Sequence, residues 1–218
     1  MSRLILVILG KQGAGKGTQG RRLAAIYAVP HVSTGDILRA AVKAATPVGR
    51  EVAAVLDAGE LVSDELVNRL VEERLGEPDA APGALLDGYP RTLAQAEALE
   101  SFLRPSRVTL CVNLEVPTGL VAERLSARRV CVDCGAIYRD GDPEARSGVC
   151  SLCGGRVIQR ADDRPEAIHQ RLEVYERDTA PLLDFYRARD LLVNVDGTRE
   201  ADAVTATIRG TVDERIVS

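Results

Sequence analysis

The sequence is poor in lysine and histidine and has no long apolar run. Only three of its 28 lysine and arginine residues are lysines, and it contains two histidines. Codon bias in a GC-rich genome would explain the arginine excess, but two of the three lysines, Lys11 and Lys16, fall in one short segment. No apolar stretch approaches the roughly 20 residues that a membrane-spanning helix needs. The first apolar run, Leu4–Leu9, ends without a signal cleavage pattern, so a cytoplasmic protein is expected.

The bulk composition is that of an ordinary globular protein. The 218 residues suffice for one sizeable core with small inserted lobes. The net charge of −4 argues against a general nucleic-acid binder, which carries a basic excess. Five cysteines in a cytoplasmic protein indicate a metal site or cysteine chemistry before they indicate disulfides.

Five short apolar runs alternate with helical patterns. The runs are Leu4–Leu9, Val29–Val32, Ala84–Leu86, Val108–Leu114 and Leu191–Val195. Continuous apolar runs suit strands that are buried on both faces. The helical patterns between the runs include Arg21–Tyr27, Asp64–Leu75 and Leu93–Leu103. This alternation predicts an α/β fold with a five-stranded parallel sheet flanked by helices.

Two regions interrupt the alternation. Residues 34–62 are helical without a strand of their own, which predicts an inserted helical lobe. Residues 129–160 are rich in glycine, cysteine and aspartate, and they have too few apolar runs to bury a core without a staple. A long helical pattern then covers Arg164–Arg189. Asp163 is its expected N-cap, and Pro181 is expected to end or kink it.

A glycine-rich segment, Gly10–Thr18, follows directly on the first predicted strand. Gly10 and Gly15 bracket four residues before Lys16, which fits most of the phosphate-loop pattern. Glycines let backbone N–H groups face phosphate oxygens, and the following helix adds its positive N-terminal end. The alternative is a strand-to-helix turn that binds no ligand. The preceding strand, the following helix and Lys16 together favour a nucleotide phosphate, without identifying the base.

The spacing Gly15-Lys16-Gly17-Thr18 resembles that of the nucleoside monophosphate kinases, and of the adenylate kinases in particular. Further segments extend the resemblance over nearly the whole chain. Ser33–Arg39 is similar to the acceptor-binding motif, Asp57–Val62 to the stretch that lines the acceptor base, and Asp87–Arg91 to the family signature. The chain departs from the usual pattern in Gln12, which takes a proline position, in the extra charge of Lys11, and in Glu60, where relatives often carry a basic residue.

The resemblance implies reversible transfer of the terminal phosphoryl group of ATP to AMP, giving two ADP, with Mg²⁺. Such a transfer needs aligned substrates and positive groups around the moving phosphoryl, for which the planar fork of arginine is well suited. By resemblance, the catalytic residues are Lys16, Arg91, Arg128, Arg160 and Arg171. Those expected to bind ATP are Gly13, Ala14, Gly15, Lys16, Gly17, Thr18, Arg128, Ile137, Tyr138 and Arg199. Those expected to bind AMP are Thr34, Arg39, Glu60, Leu61, Val62, Gly88, Tyr89, Pro90, Arg91, Gln95, Arg160 and Arg171.

Three polar residues refine this assignment. Asp87 ends the run Ala84–Leu86, and an acidic residue at the tip of a buried strand beside a phosphate loop commonly orders Mg²⁺ through water. The alternative for Asp87 is a cap or turn. The Gln95 amide offers a donor and an acceptor to adenine, but it could flip to meet another base. Thr34 favours AMP by resemblance, because relatives that accept pyrimidines tend to carry alanine there.

Four cysteines, Cys131, Cys134, Cys150 and Cys153, form the pattern C-x2-C-x15-C-x2-C, which is a strong zinc signal. Four thiolates close the coordination sphere, so the zinc is expected to be structural rather than catalytic. Disulfides and unligated thiols are the alternatives. The segment lies between Arg128 and Arg160, which matches the lid of the longer adenylate kinases, some of which carry zinc. Cys111 stands alone and is expected to be buried.

The resemblance also divides the chain. It implies a core (1–32, 63–127 and 164–218), an NMP-binding lobe (33–62) and a lid (128–163) with hinges near 127 and 163. The expected partners are ATP, AMP and ADP, with no nucleic acid or membrane, and the expected state is a monomer. Two alternatives stay open: a kinase of the same fold for another monophosphate, and a nucleotide switch whose zinc ribbon binds nucleic acid. The net charge and the single aromatic of the cysteine segment, Tyr138, argue against the second.

Overall fold

The computed structural model describes residues 3–217, so Met1, Ser2 and Ser218 of the predicted core segments lie outside the described residues. Eight strands lie within this range: β1 (Leu4–Leu9), β2 (His31–Ser33), β3 (Gly83–Asp87), β4 (Leu110–Glu115), β5 (Arg128–Cys131), β6 (Ile137–Arg139), β7 (Val157–Ile158) and β8 (Leu192–Asp196). Five of them form a parallel sheet in the order β2-β3-β1-β4-β8. The predicted five-stranded parallel sheet is therefore confirmed.

Residues 3–217 also contain ten α-helices, most of which connect the strands. They are α1 (Lys16–Tyr27), α2 (Thr34–Lys43), α3 (Pro47–Ala58), α4 (Asp64–Leu75), α5 (Leu93–Phe102), α6 (Thr118–Ser126), α7 (Pro143–Ser147), α8 (Pro165–Val174), α9 (Pro181–Arg187) and α10 (Ala201–Val217). The first helix begins at Lys16, earlier than the predicted Arg21, so the phosphate loop leads straight into it. Within the described residues, no helix is both long and apolar enough to cross a membrane.

Alternate residues of β1 enter two separate apolar cores. Ile5, Val7 and Leu9 pack on one face of the sheet with side chains of α2, α3, α4, α5 and α9. Leu6 and Ile8 pack on the other face with side chains of α1, α6 and α10. A continuous apolar run is needed because successive strand residues point to opposite faces, and helices cover both.

The predicted long helix over Arg164–Arg189 is interrupted. A π-helical turn, Tyr175–Thr179, separates α8 from α9, and Pro181 starts α9. The interruption before Pro181 agrees with the expected end or kink, since proline cannot donate a hydrogen bond into a continuous helix. The prediction that Asp163 caps α8 is wrong. Arg164 holds the N-cap position without a side-chain cap, because the Asp163 carboxylate binds two arginines instead.

The two interrupting regions have the forms that their composition predicts. Residues 34–58 form α2 and α3 without a strand of the main sheet. The cysteine segment forms a small antiparallel sheet in the order β6-β5-β7. Its apolar core consists of Cys131, Cys150 and Val157, with Ala136 and Tyr138 packed against them. So small a core needs the staple that the cysteines were predicted to supply.

Candidate active site

The phosphate loop between β1 and α1 is shaped by its glycines. Gly13 has a φ of +85°, and a Cβ at this position would lie 2.8 Å from the carbonyl oxygen of Val121 in α6. Only glycine therefore lets the loop pack so closely against α6. At the start of α1, the N–H groups of Lys16 and Gly17 have no backbone acceptor among residues 3–217. These N–H groups, together with the helix dipole, suit an anion.

Lys16 lies folded against its own loop. Its Nζ donates to the carbonyl oxygens of Gly10 at 2.6 Å and Lys11 at 2.9 Å. Burial lowers the pKa of Lys16 to about 7; Asp87 opposes this shift, and the nearby arginines, Arg91 first among them, add to it. A bound polyphosphate would supply the negative charge that this ammonium lacks, so Lys16 is placed to gain from an anionic ligand.

The Lys11 side chain makes its polar contacts outside the loop. Its Nζ donates to Thr118 Oγ1 at 2.6 Å, at the start of α6, and lies 2.7 Å from Glu176 Oε1 in the π-helical turn. The extra charge of the loop is therefore paired with a carboxylate and fastens the loop to two neighbouring elements.

Asp87 lies at the carboxyl end of β3, beside the phosphate loop. Its side chain is nearly buried, and a Cβ on Gly17 would come within 3.5 Å of its Oδ2. His31 Nε2, on the neighbouring strand β2, lies 3.3 Å from the same oxygen. Carboxylate oxygen is the ligand that Mg²⁺ prefers, and the place of Asp87 beside Gly17 and Lys16 fits the predicted metal role.

Partly buried arginines lie around Lys16 and Asp87. Arg91 is anchored by donation from its Nε to the Gly88 carbonyl at 2.9 Å, and burial, reinforced by Arg171, lowers its pKa to about 10. The pKa of Arg160 is also lowered to about 10, by burial first and then by Arg39 and Arg128. Like charges held together away from water are unfavourable without an anion. This cluster therefore indicates a binding site for phosphates.

Asp163 is the counter-ion of two of these arginines. It is fully buried and accepts two hydrogen bonds from Arg128, from Nε at 2.8 Å and from Nη2 at 2.6 Å. Arg171 donates to the same carboxylate at 3.1 Å and to the Asp162 carbonyl at 2.8 Å. Asp163 thus holds both guanidinium groups in place, 35 and 8 residues away in the sequence.

Besides the phosphate loop, the site contains a cleft between the helical lobe and the sheet. Apolar side chains, including Leu38, Val62 and Val67, share its lining with the guanidinium groups of Arg39, Arg91 and Arg171. Such a lining suits a ligand with a flat apolar part and an anionic part. Of the residues predicted to bind AMP, the following line this cleft: Thr34, Arg39, Glu60, Leu61, Val62, Gly88, Arg91, Gln95 and Arg171.

Two predicted base-contacting residues are held by hydrogen bonds. Thr34 Oγ1 donates to the Gly88 carbonyl at 2.8 Å. Gln95 is 2% exposed; its Oε1 accepts from the Arg91 N–H at 2.7 Å, and its Nε2 donates to Asp64 Oδ1 at 2.7 Å. Both side chains are thereby fixed at the edge of the cleft.

Three residues predicted to bind AMP lie outside this lining. Tyr89 is fully buried, and its hydroxyl donates to Asn68 Oδ1 at 2.6 Å and lies 3.1 Å from the Gln95 carbonyl oxygen. Pro90 is buried as well. These two residues support the lining from behind. Arg160 lies instead among the charges of Arg39 and Arg128.

The residues outside the loop that are predicted to bind ATP lie in two separate places, the small sheet and the segment after β8. Ile137 is 42% exposed in the small sheet. The neighbouring Tyr138 directs its hydroxyl toward Cys150 Sγ, at 3.1 Å. Arg199 is exposed in the segment after β8. This segment lies beside the phosphate loop, because a Cβ on Gly197 would lie 3.3 Å from the carbonyl oxygen of Ala14.

The four cysteines converge on one point. Their sulfur atoms all lie within 4.8 Å of one another, with Cys131 and Cys153 at 3.5 Å and Cys134 and Cys150 at 3.6 Å. A tetrahedral zinc with bonds of about 2.3 Å would separate its sulfurs by about 3.8 Å, so the donor set fits. The hydrogen bond with Tyr138 lowers the pKa of Cys150. Cys111 is fully buried, as predicted.

Comparison with known proteins agrees with this geometry. The family model for adenylate kinase matches residues 8–191. The chain belongs to the adenylate kinase family. The chain is 47% identical over 212 residues to the adenylate kinase of Carboxydothermus hydrogenoformans, covering 96% of this chain and 99% of that one. It is 48% identical to that of Moorella thermoacetica over 206 residues (93% and 95%), and 46% identical to that of Bacillus subtilis over 207 residues (94% and 95%).

In this member of the adenylate kinase family, the cysteine segment lies against the helical lobe. Lys43, at the end of α2, donates from Nζ to the Val132 carbonyl at 3.1 Å and to Asp133 Oδ1 at 2.6 Å. Val132 and Asp133 stand between the first two cysteines. The two inserted regions therefore contact each other through Lys43.

Several residues of the site were not found from the sequence. Asp64, Asp163 and Glu176 are the carboxylate partners of Gln95, Arg128 and Lys11. No sequence motif singles out Asp64 or Glu176 as a hydrogen-bond or ion-pair partner. For Asp163, the capping pattern pointed to the wrong role, and the resemblance of Asp162-Asp163 to the border of a lid named no partner for its carboxylate.

Proposed function

We propose that the chain is an adenylate kinase that transfers the terminal phosphoryl group of ATP to AMP, reversibly, to give two ADP. The observation that carries this proposal is that the phosphate loop and the cleft beside the helical lobe share one cluster of positive charge. Arg91 and Arg171 line the cleft between the helical lobe and the sheet, which we call the acceptor cleft. The charges of the same two arginines lower the pKa of Lys16 in the phosphate loop. A kinase with two nucleotide substrates needs their phosphates to meet in such a place.

The position of each residue suggests which part of the two substrates it binds. The N–H groups of the loop and Lys16 bind the donor phosphates, assisted by Arg128. Arg39 and Arg91 bind the acceptor phosphate. Arg160 and Arg171 stabilise the charge on the moving phosphoryl group, which forms no covalent bond with the protein. The remaining donor contacts come from Ile137, Tyr138 and Arg199. This division is supported by the mutual lowering of the arginine pKa values, which phosphates would relieve.

Two metals complete the proposal. Asp87 would hold Mg²⁺ through water, and the ion would neutralise charge on the transferring phosphates when bound. The four cysteines would hold a structural zinc, with Tyr138 donating to one of its thiolates. The close approach of the four sulfurs supports this role.

The proposed domains are those implied by the resemblance: a core, an NMP-binding lobe at 33–62 and a lid at 128–163 with hinges near its ends. The contact between Lys43 and Asp133 supports a closed arrangement of lobe and lid. Closure excludes water, which would otherwise accept the phosphoryl group. We further propose a cytoplasmic monomer that serves nucleotide biosynthesis by balancing adenine nucleotides.

A coupled assay for ADP tests the function. The purified protein is given ATP and Mg²⁺ with AMP, GMP, CMP or UMP, and Lys16→Met serves as the inactive control. We expect turnover with AMP to exceed that with each other monophosphate, and to fall at least about a hundredfold in Lys16→Met. Turnover that favours another monophosphate would assign the chain a different acceptor, and equal activity of Lys16→Met would remove the loop from the mechanism.

A further inference from the structure

The amide of Gln95 is the one side-chain group at the acceptor cleft whose two ends could exchange roles. An amide carries a carbonyl acceptor at one end and an N–H₂ donor at the other, and a rotation of 180° interchanges them. Whether Gln95 presents a donor or an acceptor to a base decides which base fits. The partners of Gln95 inside the protein therefore set the selectivity of the site.

The chemistry of those partners leaves one orientation. The backbone N–H of Arg91, at 2.7 Å, can only donate, so the atom facing it must be the carbonyl oxygen of Gln95. The carboxylate of Asp64, at 2.7 Å, only accepts, so the atom facing it must be the amide nitrogen. The reversed amide would place two donors together at one end and two acceptors together at the other.

Asp64 is itself held by a hydroxyl of fixed direction. Thr92 Oγ1 accepts from the Gln95 backbone N–H at 3.1 Å and lies 2.8 Å from Asp64 Oδ2. The only proton of the Thr92 hydroxyl is therefore directed to the Asp64 carboxylate. The carboxylate is thus anchored at one oxygen by Thr92 and binds Gln95 with the other.

One N–H of Gln95 remains for a ligand. The amide nitrogen carries two hydrogens, and only Asp64 accepts one of them among residues 3–217. Gln95 is 2% exposed and lines the acceptor cleft, so this second hydrogen is a nearly buried donor at the cleft. At the same cleft, the Thr34 hydroxyl gives its proton to the Gly88 carbonyl and retains only lone pairs for a ligand.

We propose that Asp64 is a positioning residue that selects adenine by locking the Gln95 amide with its donor toward the acceptor base. This inference rests on the proposed function. A donor from Gln95 and an acceptor from Thr34 match N1 and the 6-amino group of adenine. They oppose hypoxanthine and guanine, which carry N1–H and a 6-carbonyl. A buried donor that meets another donor is left unpaired, which disfavours the wrong base.

The test compares AMP with inosine 5′-monophosphate, which differs only at the edge in question. The variants are Asp64→Asn, whose amide can face Gln95 with either end, and Asp64→Glu, which keeps a carboxylate. Glu65→Gln is the matched control, since Glu65 is an exposed carboxylate in the same first turn of α4. Any effect of lost charge on the helix end is common to D64N and E65Q.

In D64N we expect the ratio of kcat/KM for AMP over inosine monophosphate to fall at least about tenfold, mainly through KM. The ratio should stay within about twofold of the unmodified value in E65Q and recover in D64E. If Asp64 acts through Gln95, D64N should not change the ratio further in a Gln95→Leu background. A ratio in D64N equal to that in E65Q overturns the inference, and so does a further change in the Gln95→Leu background.

Binding separates this inference from the proposed function. Titration calorimetry gives the Kd of AMP and of inosine monophosphate for each variant without any turnover. An AMP preference in Kd that D64N weakens supports the inference even in a protein that forms no ADP. Failure of the unmodified protein to form ADP from ATP and AMP counts against the proposed function alone, whereas an unaltered Kd ratio in D64N overturns the inference alone.

Discussion

Replacement of Asp163 by asparagine removes the shared counter-ion of two buried arginines. The carboxylate is fully buried and receives two hydrogen bonds from Arg128 and one from Arg171. The side chains of both arginines are also largely buried, at 15% and 12% exposed. Asparagine keeps the shape but turns one acceptor into a donor that faces a guanidinium group.

The expected loss follows from this burial. Removing one partner of a buried ion pair destabilises a protein by about 3–5 kcal/mol, because the remaining charge has no compensation. Asp162 still pairs with Arg171, so we take the lower end, about 3 kcal/mol. For a chain of this length, that loss corresponds to a fall in Tm of about 6–12 °C.

A matched variant at an exposed ion pair shows how much of the loss of stability comes from burial of the charges. Asp178 also makes two hydrogen bonds to one arginine, Arg177, but the Arg177 side chain is 64% exposed. An exposed pair contributes at most about 1 kcal/mol, so Asp178→Asn should lower Tm by no more than about 4 °C. Thermal unfolding followed by circular dichroism measures both. Equal shifts for the two variants would refute the argument that Asp163 neutralises buried charge.

Three further predictions concern the loop and the zinc site. Burial sets the pKa of Lys16 at about 7, so at pH 8 about nine-tenths of it is neutral, and binding of tripolyphosphate should take up about 0.9 proton more in the unmodified protein than in Lys16→Met, a difference that falls to about 0.1 at pH 6. Titration calorimetry in two buffers of different ionisation enthalpy measures this difference, because the protons that tripolyphosphate itself exchanges are common to both proteins; an equal difference at both pH values would contradict the prediction. Lys11→Met removes a partly exposed pair with Glu176, so KM for ATP should change less than about fivefold; a larger change would place Lys11 on the phosphates. Tyr138→Phe removes the hydrogen bond to Cys150, so zinc affinity should fall about 10–100-fold in a chelator competition, and an unaltered affinity would remove Tyr138 from the zinc site.

The local patterns of the sequence were sufficient for the sheet, the phosphate loop and the cysteine cluster. The apolar run Leu4–Leu9 and the glycines after it specify a buried strand and a phosphate loop without reference to the rest of the chain. The spacing of the cysteines predicts in the same way that their four sulfur atoms lie together, as they do. These features depend on residues that are close in sequence, which is why they were predictable.

The remaining contacts depend on which elements become neighbours. Asp64 meets Gln95 across 31 residues, and Lys11 meets Glu176 across most of the chain. Asp163 precedes a helix whose first residues fit a capping box, yet two buried arginines attract its carboxylate more strongly than the helix end does. His31 comes to face Asp87 only because β2 pairs with β3. No local pattern encodes these neighbours.

The most direct test of the account follows both products by phosphorus NMR. The unmodified protein is incubated with ATP, AMP and Mg²⁺. The account predicts that two ADP form for each ATP consumed and that inorganic phosphate does not accumulate, because the closed lid keeps water from the phosphoryl group. Release of inorganic phosphate with AMP unconsumed would contradict the account, since it would make the chain a nucleotide hydrolase rather than a kinase.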